Sequence, residues 1–133
     1  MKSLLSLFKN QTSESTKSST EEQLSAESLK NLIENSKIKV IPLDVRSYAE
    51  YNGYHIEGAL HIHIVDLSIE SLQAALNLQP QEKAIVVTYC NAGGRGGRSF
   101  SLLKEQNNNS NIQIKNLTHG INEWINKGYP INN

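Results

Sequence analysis

The sequence predicts an α/β domain built on a central, mostly parallel sheet of about five strands, with helices on both faces. Three observations predict it. Strand-like runs at 38–45, 84–89 and 112–117 alternate with segments of helical period, the order expected of parallel strands joined by right-handed crossovers. Ala84-Ile85-Val86-Val87-Thr88-Tyr89 is the strongest strand signal in the chain. The 133 residues are enough for one domain and too few for two.

The elements follow in order. Residues 10–22 carry no apolar side chain, so burial cannot offset the entropy lost on ordering them. The expected organisation is a flexible polar tail over 1–22 and a folded domain over 23–133. Ser25 caps a helix reaching about Asn35, with Leu29, Leu32 and Ile33 on one face. Ile38 to Val45 is a buried strand despite Pro42, and Ala59 to Ile64 a short one. Asp66 caps a helix that turns Ile69, Leu72, Ala75 and Leu76 to one side. After the strand at 84–89 comes a glycine-rich turn, then a helix around Arg98 to Gln106 with Phe100 and Leu103 inward. Ile112 to Leu117 is a further strand. Ile121, Trp124 and Ile125 form a last helical face, stopped by Gly128 and Pro130.

Composition excludes several function classes. Lys+Arg and Asp+Glu are both 13, so the formal net charge is zero. That gives no electrostatic footprint for nucleic acid. No stretch is apolar for the ~18 residues of a membrane span. The apolar run within Leu4–Phe8 is shorter than the ~7–15 residues of a signal-peptide core. A cytoplasmic protein with no stable membrane association is expected. The single cysteine rules out an internal disulfide and any multi-cysteine metal site. His61 and His63 alternate with isoleucines and would share one strand face, but no third ligand is evident. Packing or surface roles are expected for both, with no metal. Neither His55 nor His119 is assigned as a general base by its spacing.

The informative segment is Tyr89-Cys90-Asn91-Ala92-Gly93-Gly94-Arg95-Gly96-Gly97-Arg98. Cys90 stands at the carboxyl end of the strongest strand, the end at which open α/β sheets bind ligands. Four of the eight glycines lie between 93 and 97, and two of the three arginines are Arg95 and Arg98. Such glycines let successive N–H groups turn inward as an anion-binding nest. The helix that follows offers free N–H groups and its positive dipole end. A thiolate, a persulfide or an oxyanion is the species this suits, against the alternative of a buried thiol beside a plain turn. Gly96 and Gly97, if helical, suggest close backbone approach to the bound group.

Over about residues 24–131 the sequence resembles the rhodanese family. Leu43-Asp44-Val45-Arg46-Ser47 with Glu50-Tyr51 and His55-Ile56-Glu57-Gly58-Ala59 looks like its first signature. Cys90 to Arg95 looks like its active-site loop, and Asn116-Leu117-Thr118-His119-Gly120-Ile121 with Trp124, Gly128 and Pro130 like its closing segment. The resemblance implies a rhodanese-like fold and a sulfurtransferase with no cofactor. Cys90 would be the sulfur-accepting nucleophile. The backbone of Asn91, Ala92, Gly93, Gly94, Arg95 and Gly96 would cradle the persulfide, with Arg95 helping to bind a small anionic donor. Arg98 joins this set on charge alone. With no second cysteine, an external thiol or protein-thiol acceptor is required.

Three positions depart from the family pattern: Tyr54 and His119 stand where glycines are usual, and Gly96 where a serine or threonine is common. The last change would remove a hydroxyl from the site. Asp44, Arg46 and Glu50 are read as a mostly structural polar network. Two rivals remain. A cysteine phosphatase or arsenate reductase places its arginine six positions after cysteine, where this chain has Gly96. A non-catalytic sulfur carrier or interaction module would use the same fold.

Overall fold

The computed structural model describes residues 21–133. The expected tail over 1–22 thus lies outside the described residues, except for Glu21 and Glu22. Strand β1 (Gln23–Leu24) leads into helix α1 (Ala26–Asn35), β2 (Lys39–Asp44) and α2 (Tyr48–Gly53). Two short strands follow, β3 (His55–Ile56) and β4 (Leu60–His61), then α3 (Ile69–Leu76). Next come β5 (Ala84–Tyr89), α4 (Gly94–Gln106), β6 (Ile112–Leu117), α5 (Gly120–Asn126) and β7 (Ile131–Asn132).

The main sheet has five strands in the order β1-β6-β5-β2-β4, and every pairing in it is parallel. β3 and β7 form a separate antiparallel pair. The period-2 alternation of β5 divides the core in two. Val86 packs with Leu43, Ile112 and Ile114 beneath α3 and α4, where Leu72 and Leu103 are fully buried. Ile85, Val87 and Tyr89 point the other way, onto Leu29 of α1 and Ile121 and Trp124 of α5. Helices therefore cover both faces, and all six residues of β5 are buried. Trp124 is core, with its indole N–H donating to the Pro130 carbonyl at 2.9 Å.

Several local expectations are corrected. Ser25 does cap α1, accepting the Ser28 N–H at 3.1 Å, but Ile33 lies on the exposed side of that helix. The α3 cap is Ser68, which trades side-chain and backbone hydrogen bonds with Ser71; Asp66 lies earlier, in a 3-10 turn over Ile64–Asp66. Ala75 faces solvent on α3. The strand expected over 59–64 is confined to Leu60–His61, so His63 falls outside it and the two histidines do not share a strand face. Helix α4 begins at Gly94, four residues before the expected start, which places Gly96 and Gly97 inside it. A helical Glu50 is expected from the sequence, but the bounds of α2 are not, because it buries no residue and so has no apolar stripe to betray it.

Candidate active site

Cys90 follows the last residue of β5 and lies at the carboxyl edge of the sheet. Its Sγ accepts the Gly93 N–H at 3.2 Å, which closes the loop on the sulfur. Gly93 turns the chain with φ +131°, and a Cβ there would stand 2.4 Å from the Thr118 carbonyl oxygen. Only glycine fits. Helix α4 starts at the next residue. The Gly97 N–H bonds to the Gly93 carbonyl at 2.8 Å, so the N–H groups of Gly94, Arg95 and Gly96 precede the first intrahelical bond and are left free for a ligand. Together with the helix dipole they set partial positive charge beside the sulfur. Cys90 itself is 2% exposed, and Ala92 and Gly94 are the exposed residues of the loop.

The loop is anchored from behind by α5. The carbonyls of Cys90 and Asn91 accept the Ile121 and Asn122 N–H groups at 2.9 and 3.1 Å. This close approach needs Gly120, whose φ is +65°. His119, by contrast, has φ −104° and is exposed, so a glycine is not required there. Tyr54 has extended backbone, which any residue adopts; its ring lies over the Arg46 guanidinium at 5.4 Å.

Gly96 has a different task from the one its sequence position suggested. A Cβ on it would lie 3.1 Å from Tyr89 Cα and 3.2 Å from both Asn116 Oδ1 and Cys90 N. The close backbone approach is therefore to β5, and a serine hydroxyl there would start from this helix–strand seam. Thr88 reinforces the seam by donating its hydroxyl toward the Gly96 carbonyl at 3.1 Å. Gly97 has nothing within 4 Å of its Cβ position and approaches no neighbour.

A polar chain connects the buried floor to the loop. Asp44 and Arg46 form an ion pair at 2.7 Å, with side chains 0% and 1% exposed. The Tyr89 hydroxyl donates to Asp44 at 2.8 Å and accepts the Ile56 N–H at 3.1 Å. Burial, then the Asp44 charge, push the Tyr89 phenol far above its ordinary range. Burial opposes the Arg46 charge, but the hydrogen bonds to Asp44 together with the charges of Asp44, Tyr89 and Glu50 outweigh it and raise the Arg46 pKa. Arg46 also donates to the Asn91 side-chain oxygen at 3.0 Å. The Asn91 amide passes the chain on, donating to Glu50 at 2.9 Å. Glu50 receives both terminal nitrogens of Arg95, at 2.7 and 3.0 Å. The Arg95 hydrogen bonds hold the Glu50 carboxyl well below the usual carboxylate range, against the opposing effect of its partial burial. The Arg95 pKa is raised in turn, first by Glu50.

Of the residues singled out from the sequence, Cys90, Gly93, Gly94, Arg95 and Gly96 come together around the sulfur and the first turn of α4. Asn91 is beside them, but its side chain is committed to Arg46 and Glu50. Arg98 is exposed and folds back over that turn, its guanidinium 3.8 Å from the Cβ position of Gly94. Among the described residues it has no hydrogen-bond or ion-pair partner. Sequence reasoning treated Glu50 as structural and missed its grip on the loop arginine. The local signal, Ser47-x-x-Glu50, is a capping box that the structure realises at the start of α2; it fixes where the carboxylate sits and does not name its distant partner. His61 packs, as expected: its ring stacks on Tyr51 at 4.5 Å, and its Nε2 meets the Arg46 carbonyl at 2.7 Å.

A family model described as rhodanese-like domain matches residues 25–127. A probable molybdopterin-synthase adenylyltransferase of Porphyra purpurea is 29% identical over 98 residues, 74% of this chain and 24% of that protein. The chain thus spans about a quarter of that relative's length. The solution structure of a rhodanese-like domain from Anabaena sp. is 26% identical, covers 85% of this chain and 80% of its own, and superposes with a TM-score of 0.66. Thiosulfate sulfurtransferase from Pseudomonas aeruginosa shares the fold at 20% identity and a TM-score of 0.64, over 84% of this chain and 20% of that one. No helix among the described residues is long and apolar enough to cross a membrane.

Proposed function

The chain belongs to the rhodanese-like domain family, and from that premise we propose that it is a cytoplasmic sulfurtransferase carrying sulfane sulfur on Cys90. One observation carries the reading: the Cys90 sulfur accepts the Gly93 N–H, beside the three free N–H groups that open α4. Those groups suit a terminal persulfide sulfur bearing negative charge.

The reaction has two half-steps. The Cys90 thiolate attacks the outer sulfur of a small anionic donor such as thiosulfate. A new S–S bond forms, the donor's S–S bond breaks, and sulfite leaves with the electron pair. A thiol or protein-thiol acceptor, as its thiolate, or cyanide then attacks the outer sulfur and returns Cys90 as thiolate. Gly93, Gly94, Arg95 and Gly96 hold the persulfide, and the Asp44–Arg46–Asn91–Glu50 chain keeps the loop in shape.

A second reading, a stoichiometric sulfur carrier with slow turnover, is favoured by the 2% exposure of Cys90. A phosphatase is disfavoured by Gly96, which sits in the helix–strand seam where the larger loop would need its arginine. Intact mass after incubation with thiosulfate tests the proposal. Gain of one sulfur, reversed by cyanide with release of thiocyanate and absent from Cys90→Ser, is expected. No adduct from any sulfane donor would overturn it. Rapid loss of the sulfur to an added thiol, over many cycles, would exclude the slow carrier.

A further inference from the structure

The cations of the loop are not equivalent. Arg95, the one beside the sulfur, is engaged end-on by Glu50, Nη1 to Oε1 and Nη2 to Oε2. The pair is compact, and each side chain is 30% exposed. The Glu50 carboxylate also accepts from Asn91, the residue after Cys90, so its negative charge is part of the site. Deeper in, Arg46 is matched by Asp44. Two ion pairs cancel, and among the described residues near the loop only Arg98 remains as an unmatched cation. The end-on fork leaves Arg95 Nε without an acceptor among the described residues, so Arg95 still offers one N–H edge to a bound group.

We propose that Glu50 is a specificity-determining residue that tunes the loop to sulfur donors of single negative charge, such as alkyl persulfides and thiosulfonates, over dianionic thiosulfate. This rests on the sulfur-transfer reading of Cys90 and refines its donor class. A dianion entering the loop meets the free N–H groups and the Arg95 Nε edge, but also the Glu50 carboxylate that has cancelled the Arg95 charge. A monoanion makes the same number of N–H contacts, with half the repulsion from Glu50 and a smaller desolvation cost than a dianion carries. Glu50 remains ionised near neutrality, because Arg95 stabilises its charged form. One unit of charge at this partly exposed position is expected to change discrimination by roughly tenfold, an interaction of about 1.4 kcal/mol.

Thiosulfate and methanethiosulfonate deliver the same outer sulfur but differ by one charge, their leaving groups being sulfite and methanesulfinate. The test is the rate of Cys90 persulfidation by each, measured by intact mass, in the wild type, Glu50→Gln and Glu50→Asp. Gln is isosteric with Glu and keeps one acceptor, for the Ser47 N–H and Arg95 Nη1, while giving up the one that Arg95 Nη2 and Asn91 share; melting temperatures verify that each variant is folded. The wild type is expected to prefer methanethiosulfonate. Glu50→Gln is expected to move the ratio of rates about tenfold toward thiosulfate and to steepen the salt dependence of the thiosulfate reaction. Glu50→Asp, which keeps the charge, is expected to hold the wild-type ratio even if both rates fall. A ratio unchanged in Glu50→Gln, or equally shifted in Glu50→Asp, overturns the proposal and leaves sulfur transfer standing. No sulfur gained from either donor by the wild type overturns both.

Discussion

The Cβ position of Gly120 stands 2.5 Å from the carbonyl oxygen of Cys90 and 2.4 Å from that of Asn91. Helix α5 therefore presses backbone on backbone against the loop, and its first N–H groups hold both carbonyls. Gly120→Ala must displace this contact and also adopt φ +65°. We expect a loss of roughly 2–3 kcal/mol in stability, with persulfidation of Cys90 at least tenfold slower. Urea denaturation and intact mass measure the two effects.

Gly96 and Gly97 are adjacent in one helix and should respond with opposite signs. Gly97→Ala adds a methyl to open space and gains helix propensity, so about 0.5–1 kcal/mol of stabilisation is expected. Gly96→Ala drives its methyl against Tyr89 and Asn116 and should destabilise by roughly 1–3 kcal/mol. Thermal melts of the two variants decide it; equal effects would remove the seam as the reason for Gly96.

The buried Asp44–Arg46 pair is expected to be intolerant of half-removal. Asp44→Asn leaves a guanidinium that is 1% exposed without its counter-charge, and about 3–5 kcal/mol should be lost. Tyr89→Phe removes only the hydroxyl that joins Asp44 to the Ile56 N–H, and about 1–2 kcal/mol is expected. Chemical denaturation of both variants orders the two losses.

Glu50 gives stability a defined acid dependence. Its folded pKa is depressed below the ordinary value of 4.5 by Arg95. Such a group contributes stability that is fully present above its unfolded pKa and is lost as pH falls toward the folded one. The melting-temperature advantage of the wild type over Glu50→Gln should therefore be constant near neutrality and shrink below about pH 4.5. An advantage that grew on acidification would contradict the ion pair.

The sequence by itself determined the sheet core and the place of the chemistry. β5 is legible as an apolar run because a strand covered on both faces needs apolar residues at consecutive positions, and β6 through Ile112, Ile114 and Leu117. Cys90 is legible as the residue that ends β5, and Gly93 as the start of a turn, because both depend on neighbours along the chain. Only the tertiary structure decided what the charges do. Glu50 meets Arg95 across 45 residues and Arg46 meets Asn91 across another 45, partnerships that no local period encodes. The same holds for Gly120, whose necessity comes from the Cys90 and Asn91 carbonyls, and for Gly96, whose Cα packs against β5. Hydrophobic pattern is local and repeats along the chain, so it can be read in one dimension. Ion pairing and close backbone contact depend on which distant segments the fold brings together.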